Sequence, residues 1–288
     1  MSRIEMAMEK AAQLREASAG VGAPAQGAEH GVLAQDPVLP VSQRIPASSQ
    51  YGKLEPNNPF LVNLYDPHSP TAEEFRKLKS VLVKMTSGEV FRNTLMVTSS
   101  LPSEGKSLTA VNLALSLAQE LDHTVLLVDA DLRRPSVHCY LNVEQGVGLS
   151  EVLTGQAGLA ETIIPTGIGK LSIIRAGHTV GNPSELFSSQ RTKAVLNELK
   201  TRYPDRYIIF DTPPVLPFAE SRSLAHLVDG VLFVVMERLA SQGNIRDALE
   251  SLKGSTILGM VYNAATVDNN DGRYSYYRDY AHHKSVPA

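Results

Sequence analysis

The residues best suited to phosphate chemistry lie in a short loop that follows an apolar run starting at Leu95. The loop ends in Gly105, Lys106 and Ser107. Small residues let backbone N–H groups turn toward phosphate oxygens, a lysine neutralises charge between the β- and γ-phosphates, and a serine hydroxyl can ligate Mg²⁺. Ser100 replaces the first glycine of the usual G-x-x-x-x-G-K-S/T spacing, so a chance Gly-Lys-Ser at a helix start is the alternative. The pattern predicts that a nucleotide contacts Ser100, Leu101, Pro102, Ser103, Glu104, Gly105, Lys106, Ser107 and Leu108.

Aspartates stand at the ends of two further apolar runs, which are typical of buried strands. Asp129 and Asp131 follow the run 125–128, and Asp211 follows the run 207–210. Ligands bind at the carboxyl ends of parallel strands in open α/β sheets, and an acid there can hold Mg²⁺ or its water. One such aspartate could be a helix cap. Three of them downstream of a phosphate-binding loop predict an Mg-ATP site, in which Ser107 and Asp211 hold the metal.

From Thr94 onward, strand and helix patterns alternate along the chain. This alternation predicts an α/β fold of the P-loop NTPase type, with a mostly parallel sheet and helices on both faces. The predicted strands are 94–99, 124–129, 171–175, 206–211, 230–236 and 257–263. The predicted helices start at Thr71 and cover about 107–121, 148–155, 188–202, 219–227 and 241–253. Asn263, at the end of the last strand, is either an adenine-binding residue or an ordinary turn residue.

The composition divides the chain into four segments. Residues 1–17 have a helical pattern, for which a docking element and a frayed terminal helix are equally good interpretations. Residues 18–59 are rich in Ala, Gly, Pro, Ser and Gln, which predicts a disordered linker. Residues 60–265 form the predicted P-loop domain, and residues 266–288 form a flexible tail. With 288 residues and 43% hydrophobic composition, the chain can build one sizeable domain plus extensions.

Charge, cysteine content and hydropathy exclude several classes of protein. A formal net charge of −3 gives no indication of a nucleic-acid partner. A single cysteine allows no internal disulfide, which predicts a cytosolic chain. No apolar run approaches the roughly 20 residues that a membrane-spanning helix needs. Any membrane association would therefore go through a partner.

The predicted tail concentrates tyrosines. Four of the ten tyrosines of the chain, Tyr274, Tyr276, Tyr277 and Tyr280, fall within eight residues. No core-like aliphatic residues accompany them, which argues against packing of these rings in the core. An aromatic tail could stack on nucleic acid, but the balanced charge argues against that role.

Three of these motifs together resemble the bacterial tyrosine kinases (BY-kinases): Ser-x-x-Pro-x-Glu-Gly-Lys-Ser, then Asp-x-Asp-x-Arg, then Asp-Thr-Pro-Pro. The resemblance covers roughly Thr71 to the C-terminus. It implies an ATP-dependent protein-tyrosine autokinase that regulates exopolysaccharide or capsule synthesis. The family's catalytic positions are matched by Lys106, Asp129 and Asp131; one aspartate accepts or orients the phenol proton, and the other helps to hold the metal, a role expected of Asp131. The tail tyrosines match the family's substrate segment, which a neighbouring subunit phosphorylates.

A second group of P-loop proteins shares part of this pattern. Partitioning and cell-division-site ATPases usually carry an additional lysine early in the loop, whereas here residues 99–101 are Ser-Ser-Leu. The absent lysine and the tyrosine tail favour the kinase. The alternatives are a partitioning-type ATPase switch without kinase activity, and a structural regulator with a degenerate site.

The resemblance also implies partners. Glu73, Arg76 and Lys79 recur every third residue on the helix that starts at Thr71. In BY-kinases a Glu-x-x-Arg-x-x-Arg pattern on the corresponding helix contacts the neighbouring subunit and builds a ring. The alternative interpretation of these three residues is a solvent-exposed helix face with ion pairs. Lys79 cannot form the bidentate fork of an arginine. We therefore expect a homo-oligomer, a separate membrane-bound chain-length or activator protein, a tyrosine phosphatase, and a cytoplasmic location peripheral to the inner membrane.

Overall fold

The computed structural model describes residues 52–202 and 205–266. A seven-stranded sheet forms its centre, in the order β3-β4-β2-β5-β1-β6-β7. All neighbouring strands are parallel except β3 and β4, which are antiparallel. The strands are β1 (Thr94–Ser99), β2 (Thr124–Asp129), β3 (Ile164–Pro165), β4 (Leu171–Ile174), β5 (Arg206–Asp211), β6 (Gly230–Met236) and β7 (Ile257–Asn263).

Ten helices of the described residues connect and cover these strands. They are α1 (Val62–Tyr65), α2 (Pro70–Thr86), α3 (Lys106–Leu117), α4 (Val137–Leu141), α5 (Leu149–Thr154), α6 (Leu159–Thr162), α7 (Pro183–Ser188), α8 (Gln190–Arg202), α9 (Ala219–Ala225) and α10 (Gln242–Ser251). The predicted fold class, a mostly parallel sheet of the P-loop NTPase type, is confirmed. None of the helices in the described part of the chain is long and apolar enough to cross a membrane.

Alternate residues of the central strands point into two separate cores. Leu95 and Leu127 belong to the core that α1–α4 cover, whereas Met96 and Leu126 belong to the core that α5–α10 cover. Because both faces are covered, the strands β1 and β5 are buried along their whole length. This explains why their sequences are nearly continuous apolar runs rather than alternating ones.

The strand order brings the predicted site together. β5 lies between β2 and β1, so the carboxyl ends of all three strands meet at one edge of the sheet. The pairing register sets Asp129 directly beside Asp211, and Asp211 beside Val97 of β1. Three motifs that are distant in sequence therefore converge on one crevice.

The structure differs from the predicted elements where the elements are short or interrupted. The predicted helix 188–202 corresponds to α8, which begins at Gln190 because Ser189 has an extended backbone. The sequence analysis missed β3, α1, α4, α6 and α7, each of six residues or fewer. Elements this short hold too little of a periodic pattern to be recognised.

The ordered domain begins before the predicted boundary at residue 60. Leu54 donates its N–H to the carbonyl of Thr166 at 2.8 Å, and Asn142 Nδ2 donates to the carbonyl of Glu55 at 3.3 Å. Residues 52–59, assigned by composition to the disordered linker, therefore lie against the domain. The N-terminal helix, the rest of the linker and the tail beyond Thr266 lie outside the described residues.

The central sheet provides a first test of the fold. Leu127 in β2 is fully buried, whereas 85% of Leu121 is exposed. Leu127→Ala should lower the free energy of unfolding by about 2–5 kcal/mol, because it leaves a cavity between sheet and helices. The same truncation at Leu121 should change it by about 0.5 kcal/mol or less. Chemical denaturation of both variants measures this difference; equal midpoints would contradict the placement of β2 in the core.

Candidate active site

The loop between β1 and α3 has the backbone shape that a phosphate-binding loop needs. Ser103 and Gly105 both have left-handed conformations, with φ of 68° and 86°. The positive φ of Gly105 favours glycine, and a Cβ atom there would also displace the Asn263 side chain. α3 starts at Lys106, and the free N–H groups of its first turn therefore face the loop. A helix N-terminus of this kind attracts phosphate oxygens.

The side chain of one loop residue points away from the space that a nucleotide would occupy. Glu104 is among the residues predicted to contact the nucleotide, but its side chain is fully buried, so only its backbone could make that contact. Its Oε2 accepts hydrogen bonds from the Ser100 hydroxyl at 2.7 Å and from the Leu101 N–H at 2.6 Å. The Leu101 N–H is therefore not free to donate to a phosphate. The residues left to form the anion cradle are those from Pro102 to Leu108.

Lys106 lies at the centre of the acidic cluster. Its Nζ donates to Asp131 Oδ2 at 2.9 Å and to Ser107 Oγ at 3.1 Å, and it lies 4.0 Å from Asp211 Oδ1. Burial lowers the pKa of Lys106, but the charges of Asp211 and Asp131 outweigh this effect, and the pKa is raised. The lysine is therefore fully charged at neutral pH. The structure brings together all the predicted catalytic and metal-binding residues.

Asp129 and Asp131 have different surroundings although they are two residues apart. Asp129 Oδ2 accepts the N–H groups of Ser136 and Val137 at 3.0 Å, and its Oδ1 accepts the N–H of Asp131 at 3.2 Å. Burial, followed by the charge of Asp211, raises the pKa of Asp129 well above its ordinary value. Asp131 Oδ1 accepts the Arg134 N–H at 3.0 Å, which leaves its Oδ2 for Lys106. Asp129 thus shapes the loop after β2, and Asp131 faces the site.

Asp211 has the fewest hydrogen bonds of the three carboxylates in the cluster. It is fully buried, and neither of its oxygens has a hydrogen bond of good geometry within the described residues. Burial raises its pKa to about 6, although the charge of Lys106 and the Ser107 hydroxyl act in the opposite direction. Buried carboxylate oxygens that lack hydrogen-bond donors and lie beside a serine hydroxyl are suitable ligands for a hard cation such as Mg²⁺.

The number of ligands also suits magnesium. The described residues contain no group of three His, Cys, Asp or Glu side chains that could hold a metal without other ligands. Mg²⁺ usually takes one or two carboxylates and completes its shell with waters and substrate phosphates. Ser107, Asp131 and Asp211 are the residues that would hold it here.

A cavity of about 1110 Å³ opens beside the loop, between α2, α3 and β7. Gly105, Leu108 and Asn263 line it, which is consistent with their predicted role at the nucleotide. Asn263 Nδ2 donates to the carbonyl of Glu104 at 2.9 Å, so the amide nitrogen fastens the loop. The sequence analysis missed other lining residues, which no short motif marks, among them Phe75, Leu78, Asn112, Tyr140 and Met260.

The loop after β2 is joined to the segment after β5 by an ion pair. Arg133 Nε donates to Glu220 Oε1, and the guanidinium lies 4.6 Å from the centre of the Phe218 ring. Glu220 is 1% exposed and also accepts the Ser184 hydroxyl at 2.6 Å. Arg133 is therefore held within the chain beside the site. Glu220 could not have been found from sequence, because its partner precedes it by 87 residues.

The three residues predicted to form a subunit interface do not form one continuous row of side chains in the described part of the chain. Arg76 Nε donates to Glu73 Oε2 at 2.6 Å, and Arg76 Nη1 donates to the carbonyl of Pro67 at 2.7 Å. Lys79 turns toward Glu120, beyond the end of α3. All three side chains have partners within the chain, so their use by a neighbouring subunit stays a prediction.

Comparison with known proteins identifies the family. A family model described as an AAA domain matches residues 103–256. Tyrosine-protein kinase YwqD of Bacillus subtilis (strain 168) is 32% identical over 219 residues, covering 75% of this chain and 90% of that protein. This chain belongs to the bacterial tyrosine kinases. The resemblance predicted from the motifs is thereby confirmed, together with the enzyme class, protein-tyrosine kinase.

Solved structures agree with this assignment. The kinase domain of the Escherichia coli tyrosine kinase ETK is 30% identical and superimposes with a TM-score of 0.67, covering 76% of this chain and 86% of that one. The septum site-determining protein MinD of Pyrococcus horikoshii, in complex with Mg-ADP, shares the fold at 23% identity and a TM-score of 0.51. The superposition covers 59% of this chain and 69% of the MinD chain.

The unsatisfied carboxylate of Asp211 predicts a stability that depends on pH. A folded-state pKa raised to about 6 means that the charged form disfavours folding above that pH. Asp211→Asn should therefore raise the Tm of the nucleotide-free kinase at pH 8 by about 2–4 °C, the shift that roughly 1 kcal/mol produces in a domain of this size. The gain should shrink as the pH falls from 7 to 5, because wild-type Asp211 becomes protonated there.

Asp247, an exposed carboxylate on α10, provides the matched control. Asp247→Asn should leave the Tm unchanged across the same pH range. A lower Tm of Asp211→Asn at pH 8 would show instead that the contact with Lys106 stabilises the charged carboxylate.

Proposed function

We propose that this kinase transfers the γ-phosphate of ATP to tyrosines in its own C-terminal segment, with Mg²⁺ as cofactor, and so regulates the synthesis and export of exopolysaccharide or capsule. The observation that carries the proposal is the convergence of Lys106, Ser107 and Asp211 at the carboxyl ends of neighbouring strands. Kinship with the bacterial tyrosine kinases supports the choice of tyrosine as acceptor.

Different residues of the chain bind the phosphates of ATP and the metal during phosphoryl transfer. The N–H groups of the loop and the charge of Lys106 hold the phosphates of ATP, while Ser107, Asp131 and Asp211 hold the metal. Bound Mg²⁺ neutralises charge on the phosphate oxygens during the transfer. Phosphoryl transfer depends mostly on alignment and charge neutralisation, so the fixed positions of these side chains at strand ends are their main contribution.

Asp129 and Asp131 lie nearest the tyrosine that accepts the phosphoryl group. A tyrosine hydroxyl has an ordinary pKa near ~10, so a positioned carboxylate must accept or orient its proton at neutral pH. One aspartate takes this role, and the other helps to hold the metal. Asp131 contacts Lys106 and faces the site, which supports its role at the metal, whereas the buried Asp129 holds the loop after β2 through three backbone N–H groups.

Transfer between subunits is the second part of the proposal. The acceptors are Tyr274, Tyr276, Tyr277 and Tyr280, and Glu73, Arg76 and Lys79 form the face presented to a neighbour. Tyr274 is eight residues beyond Thr266, and an extended chain spans at most about 3.6 Å per residue, or ~29 Å. Because Ala265, next to Thr266, lines the cavity beside the loop, transfer within one chain is an alternative that an experiment must separate from transfer between chains.

The cellular setting completes the proposal. The kinase acts at the cytoplasmic side of the inner membrane, where it is held by a separate membrane-bound chain-length or activator protein. A tyrosine phosphatase reverses the modification. Each tail phosphate adds roughly −1.5 to −2 charges, so several of them near the carboxylates of the site should repel and loosen a homo-oligomer.

The two aspartates after β2 should give different variants. Asp131→Asn should reduce tyrosine phosphorylation by about 100-fold or more, because an amide neither accepts a proton nor matches a carboxylate at Mg²⁺. ATP binding should fall less than turnover, and the Tm should fall less than it does in the Asp129 variant. Asp129→Asn should lose activity and also stability, because its amide N–H₂ would face three backbone N–H donors. Anti-phosphotyrosine blotting and thermal unfolding measure both; full activity in both variants would refute the assigned roles.

A mixing experiment tests transfer between chains. A Lys106→Met chain with the intact tail is incubated with Mg-ATP and an active chain whose Tyr274, Tyr276, Tyr277 and Tyr280 are Phe. Phosphotyrosine should appear on the inactive chain, because the active partner supplies the site and the inactive one supplies the acceptors. Each chain alone should stay unlabelled. If the mixture also stays unlabelled while wild type is labelled, transfer occurs within one chain.

A further inference from the structure

A buried carboxylate lies where a phosphate-binding loop would be expected to avoid negative charge. Glu104 is two residues before Lys106, in the loop that must bind a polyanion, yet its side chain is fully buried. A buried charge is costly unless hydrogen-bond donors surround it. The donors around Glu104 therefore indicate what its carboxylate does.

Two of these donors come from the start of the same loop. The Ser100 hydroxyl and the Leu101 N–H both donate to Glu104 Oε2, at 2.7 and 2.6 Å. These contacts join the first turn of the loop to its last turn, across the positions that curve around a phosphate. Hydrogen bonds to a charged acceptor are roughly twice as strong as neutral ones, so the Glu104 carboxylate holds the two ends of the loop together strongly.

Two further contacts tie Glu104 to the ends of neighbouring strands. The N–H of Met236, at the end of β6, donates to Glu104 Oε1 at 3.3 Å. Asn263, at the end of β7, donates its Nδ2 to the Glu104 carbonyl at 2.9 Å. On the other side of the loop, the Val215 N–H donates to the Ser99 carbonyl at 2.8 Å. The loop is thus fixed to β6 and β7 on one flank, and the end of β1 that leads into it is fixed to the segment after β5 on the other.

We propose that Glu104 is a positioning residue that holds the loop in its phosphate-binding shape before the nucleotide arrives. The inference rests on the proposed binding of ATP at this loop. A loop that is already shaped loses less conformational freedom on binding, so its affinity is higher. Loss of the Glu104 contacts should weaken ATP binding, and should affect the chemical step much less, because the side chain does not face Lys106 or the aspartates.

Glu104→Gln is the variant of choice, because it keeps the size of the side chain and removes one acceptor. One of the donors, Leu101 or Met236, would then face an N–H₂ group. The Kd for a fluorescent ATP analogue should rise about tenfold, and the KM for ATP should rise with it. The kcat at saturating ATP should stay within threefold of wild type. Amide hydrogen exchange at Leu101 or at Met236, whichever then faces the N–H₂ group, should become faster in the nucleotide-free protein.

Glu151→Gln is the matched control. Glu151 is also a buried glutamate, and it accepts the N–H groups of Gly148 at 2.7 Å and His178 at 3.1 Å, outside the loop. Its substitution should lower the Tm and leave the Kd for the ATP analogue within twofold. Ser100→Ala, which removes one donor to Glu104, should raise the Kd about threefold, and it serves if Glu104→Gln does not fold.

The outcomes separate this inference from the proposed function. A wild-type protein that does not bind the ATP analogue would refute the proposed function. If wild type binds and the Glu104 and Ser100 variants bind within twofold of it, the positioning role is refuted. It is equally refuted if kcat falls as much as KM rises, or if Glu151→Gln weakens binding as much as Glu104→Gln does.

Discussion

Three carboxylates and one lysine share a small buried volume at the edge of the sheet, and this excess of negative charge constrains the rest of the site. Lys106 contacts Asp131 and lies near Asp211, whereas Asp129 depends on backbone N–H groups. Burial, and to a lesser degree the neighbouring carboxylates, raise the pKa of Asp129 and Asp211, because one ammonium does not balance three carboxylates. The cluster carries an excess of negative charge, which a divalent cation would neutralise.

The sheet makes this arrangement possible. Only the order β2-β5-β1 places the ends of these strands side by side, and the pairing of Asp129 with Asp211 depends on its register. A slip by one residue would turn these side chains toward the opposite face. The two cores that cover β1 and β5 therefore support the chemistry directly, since they keep the register from slipping.

Much of this organisation could be predicted from sequence because it is local. The strands 94–99, 124–129, 206–211, 230–236 and 257–263 have the predicted bounds, since each is an apolar run that ends at polar or turn residues. The loop and the three aspartates were also recognisable from their spacing. The inward orientation of Glu104 was not, because no motif marks a loop carboxylate that accepts hydrogen bonds from its own loop and from Met236, 132 residues away. The Arg133–Glu220 pair was hidden because its two residues are 87 positions apart.

The charged face of α2 has a consequence for any assembly that uses it. Arg76 is already paired with Glu73, and Lys79 with Glu120, so a neighbouring subunit would exchange these ion pairs for new ones rather than add to them. Such an exchange contributes little net free energy, since the bonds broken resemble the bonds formed. An oligomer built on this face would draw its affinity from contacts outside these ion pairs. Its ion pairs would select the partner and set the orientation, while leaving the assembly easy to reverse.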